Sequence, residues 1–243
     1  MGLKHLMAGA ALAALQASSL AMAQDGKADV PPSADLTYTV QALQKGFSLA
    51  GESVVNWRVA DGRYSLVANT RAMLLGQIIE NRSEGAIVAT GLAPDQFYEK
   101  RMRKSPFTTT FDREANTVAF SEDKKKRYQI RGGEQDRASA QWQLASMARA
   151  TPGKFAPGAE VSFVVAGRTD AKMWRFKVAG KETLATGAGT LETVHLAKSN
   201  PEPGEQAIDL WFAPSLGWYP VKLRFSDKDG EYVEQTLAKL TKK

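Results

Sequence analysis

No cysteine occurs anywhere in the 243 residues. Its absence excludes disulfides, thiolate metal sites, a cysteine nucleophile and the lipid-modified cysteine that tethers some exported bacterial proteins to a membrane. Histidine is nearly as scarce: after His5 near the start, His195 is the only other one. One imidazole cannot build a metal site alone, and no His-x-His or His-Glu-x-x-His pattern exists. As a general base His195 would need a nucleophile and an orienting group supplied by the fold. A G-x-S-x-G elbow is also missing. Gly187 and Gly189 stand before a strand, whereas a dinucleotide fingerprint follows a strand and opens a helix. Glu52, Glu84, Glu182, Glu192 and Asp209 are scattered, with no spacing that marks a glycosidase pair. The residues therefore assign no catalytic group, no metal and no cofactor.

Long apolar runs are lacking too. The only candidate, Leu6 to Leu20, is broken by Gln16, Ser18 and Ser19 and falls short of the roughly 18 residues a spanning helix needs. It follows Lys4 and precedes Ala21-Met22-Ala23, an A-x-A site, so residues 1–23 read as a signal peptide cleaved after Ala23. That expectation places the protein in the periplasm, with no integral membrane span in the mature chain. Residues 24–34, with a Pro-Pro pair, read as a disordered leader, and residues 35–243 as one β-rich domain.

What remains is dominated by alternation. From Thr190 to Leu240, four stretches carry period-2 apolar residues, separated by Asn200-Pro201, Pro214-Ser215-Leu216-Gly217 and Asp229-Gly230. Similar strands run from Leu36 to Ala72 around Asp61-Gly62, a pair suited to a tight hairpin. Met73 to Glu80 is a solid apolar run cut by Gly76, either a buried strand with a bulge or a short helix. Turns are expected at Gly91-Leu92-Ala93-Pro94, Ser105-Pro106 and Ala179-Gly180. One helix is expected near 136–150, capped by Asp136 and ended by Thr151-Pro152-Gly153. Its apolar stripe is Ala140, Leu144 and Met147, while Trp142 lies nearly opposite, packed under a loop or exposed for a partner. The expected fold is mainly β: a single antiparallel sheet, strongly curved or partly closed like a half-barrel, with one packed helix.

Lysine and arginine total 32 against 26 acidic residues, a net charge of +6. The excess concentrates at Lys100, Arg101, Arg103 and Lys104 and at Lys124, Lys125, Lys126 and Arg127. If these segments are neighbouring hairpin tips, they form one basic surface suited to lipid phosphates or acidic glycans; otherwise they are a solvated, protected sheet edge. The aromatics Trp142, Trp174, Trp211, Trp218, Tyr219, Phe97 and Tyr98 are the candidate ligand-facing groups. In strand 208–212, Ile208, Leu210 and Phe212 share one face and Trp211 joins Asp209 on the other. Such two-sided apolarity means either a second covering layer or a groove for a ligand.

Ser83-Glu84-Gly85, the Gly91-to-Pro94 segment followed by Phe97, Phe111-Asp112, Gln135 to Ser139, and above all Trp211 to Val221 together resemble the bacterial domain of unknown function 3108 family. The likeness runs from about Asp35 to Leu240. It implies an exported envelope protein of Gram-negative bacteria with a β-rich fold, and supplies no catalytic residues. The resulting expectation is a monomeric, non-enzymatic periplasmic carrier or chaperone-like protein for a lipid or other hydrophobic envelope component. An interaction module that binds an envelope protein is the alternative, and a glycan-active enzyme a more distant one. Nucleic acid is not an expected partner.

Overall fold

The computed structural model describes residues 28–199 and 205–243. The expected signal peptide and the Asn200-Pro201 break lie outside these residues. Fifteen strands form one sheet: β1 (Ala34–Gln44), β2 (Phe47–Ala60), β3 (Arg63–Ala72), β4 (Gly76–Val88), β5 (Gly91–Arg101), β6 (Phe107–Asp112), β7 (Thr117–Phe120), β8 (Arg127–Gln129), β9 (Gln135–Asp136), β10 (Glu160–Ala166), β11 (Ala171–Thr186), β12 (Gly189–Lys198), β13 (Ala207–Ala213), β14 (Tyr219–Ser226) and β15 (Tyr232–Lys242). Among the described residues the one α-helix, α1 (Ser139–Ala150), leads into a 3₁₀ turn at Pro152–Phe155. The strand order is β8-β7-β6-β5-β4-β3-β2-β1-β15-β14-β13-β12-β11-β10-β9. Every pairing is antiparallel except β9 with β10. The chain thus lays one meander outward from β1, crosses through α1, and lays a second meander back to β15 beside β1.

Alternation in sequence becomes alternation in burial, because successive strand residues point to opposite sheet faces. Ala34, Leu36, Tyr38, Val40 and Ala42 of β1 are buried, while their neighbours face out. Register irregularities at Thr37/Tyr38, Thr70/Arg71, Glu84/Gly85, Val178/Gly180 and Trp211/Phe212 increase the local bend and twist of the sheet. The two edges come close without joining. Thr109 Oγ1 donates to the Gly167 carbonyl at 2.7 Å, Arg168 pairs with Glu122 and lies over the Phe107 ring, and Phe111, Val118 and Phe120 cluster with Ala166. No ladder of backbone bonds spans that seam among the described residues, so the sheet is one large open curve and not a closed barrel.

The helix occupies the concave side. It is clad on two sides, which corrects the expected single apolar stripe. Ala138 and Trp142 enter one core cluster with Trp57, Leu66 and Tyr219, while Ala140, Leu144, Ala145 and Ala148 enter another with Phe163, Phe176 and Phe212. Met147 is only partly buried. Asp136 Oδ1 accepts from the Ala138 and Ser139 amides at 2.7 and 2.8 Å, taking up free donors at the helix start.

Several expected breaks are absorbed into strands. Gly180 is a bulge within β11 instead of a turn. Gly91 to Pro94 begins β5, and the Met73–Leu75 run is itself a solvent-exposed hairpin tip with Gly76 at φ 71°. The stretch expected to be a disordered leader makes contacts from Asp29 onward: Asp29 pairs with Arg149, and the carbonyls of Pro31 and Pro32 accept from Trp57 Nε1 and Tyr219 Oη.

Candidate functional site

The segment from Trp211 to Tyr219 shapes one flank of the molecule. After β13, Pro214–Leu216 makes a 3₁₀ turn closed by Gly217 at φ 88° and Trp218 at φ 64°. A tryptophan in the left-handed region is costly by on the order of 1 kcal/mol or more and persists only where its surroundings impose it. Here Trp218 donates its amide to the Ala213 carbonyl at 2.8 Å, and Arg149 Nη1 holds the Gly217 carbonyl at 3.0 Å. Glycine suits the left-handed φ there, and a Cβ on Gly217, 2.9 Å from that guanidinium nitrogen, would also push Arg149 aside.

The fixed turn packs Trp218 against Phe155, ring centroids 5.9 Å apart, and the pair forms part of the wall of a half-open groove of about 390 Å³. Phe155, Pro157, Val178, Val194, Pro214 and Trp218 supply its apolar walls, and Lys181 is the one charged residue lining it. Burial of apolar ligand surface would drive occupancy, with a single cation to fix the polar end of a guest. A larger depression of about 530 Å³ on β3 and β4 is polar, lined by Ser65, Asn69, Gln77, Glu80 and Arg82 among others. Glu80 and Arg82 pair with one another there, and the walls offer little apolar surface.

The other candidate aromatics are mostly interior. Trp142 is completely buried, stacked on Trp57 at 4.2 Å and edge-on to Tyr219 at 6.1 Å. Its indole N–H meets no acceptor among the described residues, a cost of about 1–3 kcal/mol that ring burial must outweigh. Phe97 and Tyr219 are also fully buried. In this conformation a ligand in the groove reaches none of these three. Trp174 is half-buried beneath Lys198, and Tyr98 half-buried beneath Arg82.

On the face of β12 and β13 opposite Leu196 and Leu210, strand pairing aligns Glu182, His195, Asp209, Trp211, Lys222 and Glu234 across β11 to β15. His195 Nδ1 meets Glu182 Oε1 and its Nε2 meets Asp209 Oδ1, each at 2.8 Å. The imidazole stacks on Trp211 at 4.3 Å, and the indole N–H of Trp211 donates to Glu182 Oε2 at 2.8 Å. Burial disfavours the charged imidazole, but the Asp209 hydrogen bond and the Glu182 charge outweigh it and hold the His195 pKa above its ordinary value. Both ring nitrogens are engaged by carboxylates, so neither is left to take a substrate proton. The arrangement clamps three strands and covers Trp211.

A second polar group lies at the helix start inside the sheet. Ser83 Oγ donates to Asp136 Oδ2 at 2.6 Å and lies 3.0 Å from the Tyr64 hydroxyl. Desolvation pushes the fully buried Asp136 up to about 6, against bonds from Ser83, Ser139 and Ala138 that favour the carboxylate. Gln143 reaches from α1 to the backbone of Thr90 and Leu92. Sequence reasoning missed Ser83, Gln143 and the Glu182–His195–Asp209 clamp; strand parity put Asp209 beside Trp211 within one strand, but the register that brings His195 to Asp209 depends on the folded sheet. Among the described residues no cluster of three or more metal-ligating side chains is placed to hold a metal ion.

The basic candidates lie at one end of the sheet. Lys100 and Arg101 close β5, Arg103 and Lys104 form its turn to β6, and Lys124, Lys125 and Lys126 form the β7–β8 turn that leads into Arg127. Both turns lie at the same end because β6 carries the chain away from it and β7 brings it back.

The architecture defines a class: an open, strongly curved antiparallel sheet wrapped around one helix, with an apolar groove at its flank. The chain belongs to the family of proteins of unknown function DUF3108, whose model matches residues 36–238. Among solved structures, a beta-barrel-like protein of domain of unknown function DUF1849 from Brucella abortus is similar at a TM-score of 0.57 and 12% identity, over 88% of this chain and 100% of that one. MucB matches with a TM-score of 0.35 and 11% identity, over 88% of this chain and 55% of its own. A Bacteroides fragilis protein with a YmcC-like fold matches with a TM-score of 0.39 and 10% identity, over 88% and 100%. The first of these supports the fold. No curated protein matches the chain.

Proposed function

We propose that this is a non-enzymatic binding protein of the bacterial periplasm that carries a lipidic envelope component, with an acyl segment of its guest seated beside Trp218. The observation that carries the reading is the half-open groove of about 390 Å³, apolar but for Lys181. Its volume falls in the range of small-molecule sites, and its composition suits a hydrocarbon tail with an anionic end. The helix fills the concavity of the sheet, so binding falls to the flank and not to a central chamber. A turn held rigid by Arg149, Gly217 and the Trp218 amide gives the groove a preformed wall, which lowers the ordering cost of binding.

The test is native mass spectrometry on protein purified from envelope extracts, together with tryptophan fluorescence during titration with a fatty acid. Wild-type protein should carry lipid mass and show a spectral shift on titration. Trp218→Ala should weaken fatty-acid binding by about tenfold, the loss of one large apolar contact. Absence of lipid mass together with a flat titration would end the carrier reading.

A further inference from the structure

We propose that the hairpin end of the N-terminal meander is a docking surface for an anionic lipid bilayer. The β1–β2, β3–β4 and β5–β6 hairpins turn at the same end of adjacent strands, because each pair is antiparallel and their registers place Gln44 opposite Phe47, Ala72 opposite Gly76 and Glu99 opposite Phe107. The tips carry Phe47, Met73, Leu74, Leu75 and Met102, and all five are exposed: Leu74 by 94%, Met73 by 81% and Phe47 by 72%. Backbone bonds from Met73 to Ala50 and from Met102 to Ile78 keep the tips beside one another. The six strands of these hairpins, at about 4.8 Å spacing, make the row about 24 Å wide.

Three consecutive exposed apolar residues at a turn do nothing for the fold. Met73, Leu74 and Leu75 occupy positions where polar turn residues would serve equally, so their cost in solubility calls for a function. Other large exposed apolar side chains are Val88 and Met173, which stand singly.

Charge chooses the occupant. Arg71, Lys100, Arg103 and Lys104 flank the apolar row, and no described carboxylate lies within ion-pair distance of any of them. The acidic side chain closest in sequence to Arg101 and Arg103, Glu99, is buried and satisfied by Arg101 at 2.6 Å. Lys124 and Lys125 extend the positive field along the next turn at the same end. Apolar tips ringed by unpaired cations match an interface of headgroup phosphates over hydrocarbon, where the tips insert and the cations remain among the phosphates. This surface does not depend on the Trp218 groove, and in a carrier it would set the protein down on the leaflet that supplies or receives the guest.

The experiment is flotation of the purified chain with vesicles of phosphatidylethanolamine and phosphatidylglycerol, against vesicles of phosphatidylcholine alone. Wild-type protein should float with the anionic vesicles, stay behind with the zwitterionic ones, and lose binding as salt rises. Met73→Ser with Leu74→Asp should reduce binding by more than tenfold. Arg103→Glu with Lys104→Glu should reduce it by about fivefold or more per residue. All four side chains are exposed, so a circular dichroism spectrum and a urea midpoint equal to wild type would show an intact fold. Trp218→Ala should float like wild type, which separates this proposal from the groove reading. Wild-type protein that stays in solution with anionic vesicles at low salt, or a Met73/Leu74 variant that floats as well as wild type, would overturn the proposal. So would self-association through the tips, seen as a dimer mass that the Met73/Leu74 variant abolishes, without vesicle binding.

Discussion

The molecule holds two polar networks, one inside the sheet at Asp136 and one outside it at His195, and they reach the same sign of pKa shift by opposite routes. Around Asp136 burial dominates. Three donors point at the carboxylate, yet desolvation still pushes it up to about 6. Around His195 burial is outweighed, because two carboxylates flank one ring and favour its charged form. The inner network thus holds a charge at a cost, while the outer one is organised by its charges. Only the outer network gains from being ionised.

The largest effect should come from the inner network. A native pKa raised above the unfolded value of 3.8 means that the folded state binds the proton more tightly. The associated stability is fully present below about pH 3.8 and is lost as pH rises through about 6. A shift of that size corresponds to about 3 kcal/mol. Urea unfolding at stepped pH should show this slope, and Asp136→Asn should remove most of it, since the amide oxygen can still accept from Ala138 and Ser139. An unchanged slope in the Asn variant would place the titration elsewhere and dissolve the contrast.

His195 should give a smaller change in a different window. Its raised pKa adds stability that is fully present below about pH 6.5 and is lost as pH climbs through the higher native value. His195→Ala leaves Glu182 and Asp209 facing one another without the imidazolium between them. The expected loss is about 1–3 kcal/mol at pH 6, shrinking toward alkaline pH. A loss that is constant with pH would mean that the ring acts by packing on Trp211 alone.

The contrast also marks how much could be read before the fold was known. Period-2 alternation placed Trp211 and Asp209 on the face opposite Leu210, and Asp61-Gly62 marked its hairpin, with both residues at positive φ. Local chemistry suffices for such features. Gly91 to Pro94 looked like a turn because its glycine and proline are turn residues, yet it is strand: α1 supplies Gln143 to the Leu92 amide, and Gln135 Nε2 donates to the Leu92 carbonyl. Trp142 fell off the expected apolar stripe because a helix enclosed on two sides has two apolar stripes. Met73 to Glu80 read as a buried strand or a short helix, yet its first three residues are an exposed hairpin tip, because hydrophobicity alone cannot distinguish an interior from a surface that awaits a partner. What escaped the sequence was in each case supplied by a distant segment or by the surface itself.

The smallest expected effect sharpens the outer half of the comparison. Lys222 lies over the Trp211 ring at 5.0 Å and pairs with Glu234 at 3.1 Å, extending the clamp from three strands to five. Arg224 also holds Glu234 at 3.1 Å, so loss of Lys222 leaves that carboxylate with a partner. What disappears is chiefly the contact between cation and ring, so Lys222→Ala should cost about 0.5–1 kcal/mol. A double-mutant cycle with Trp211→Leu isolates the pair. Coupling of that size, falling only slightly in high salt, would show that the ladder is organised by charges held partly out of water. Zero coupling would confine the electrostatic part of the outer network to His195 and its two carboxylates.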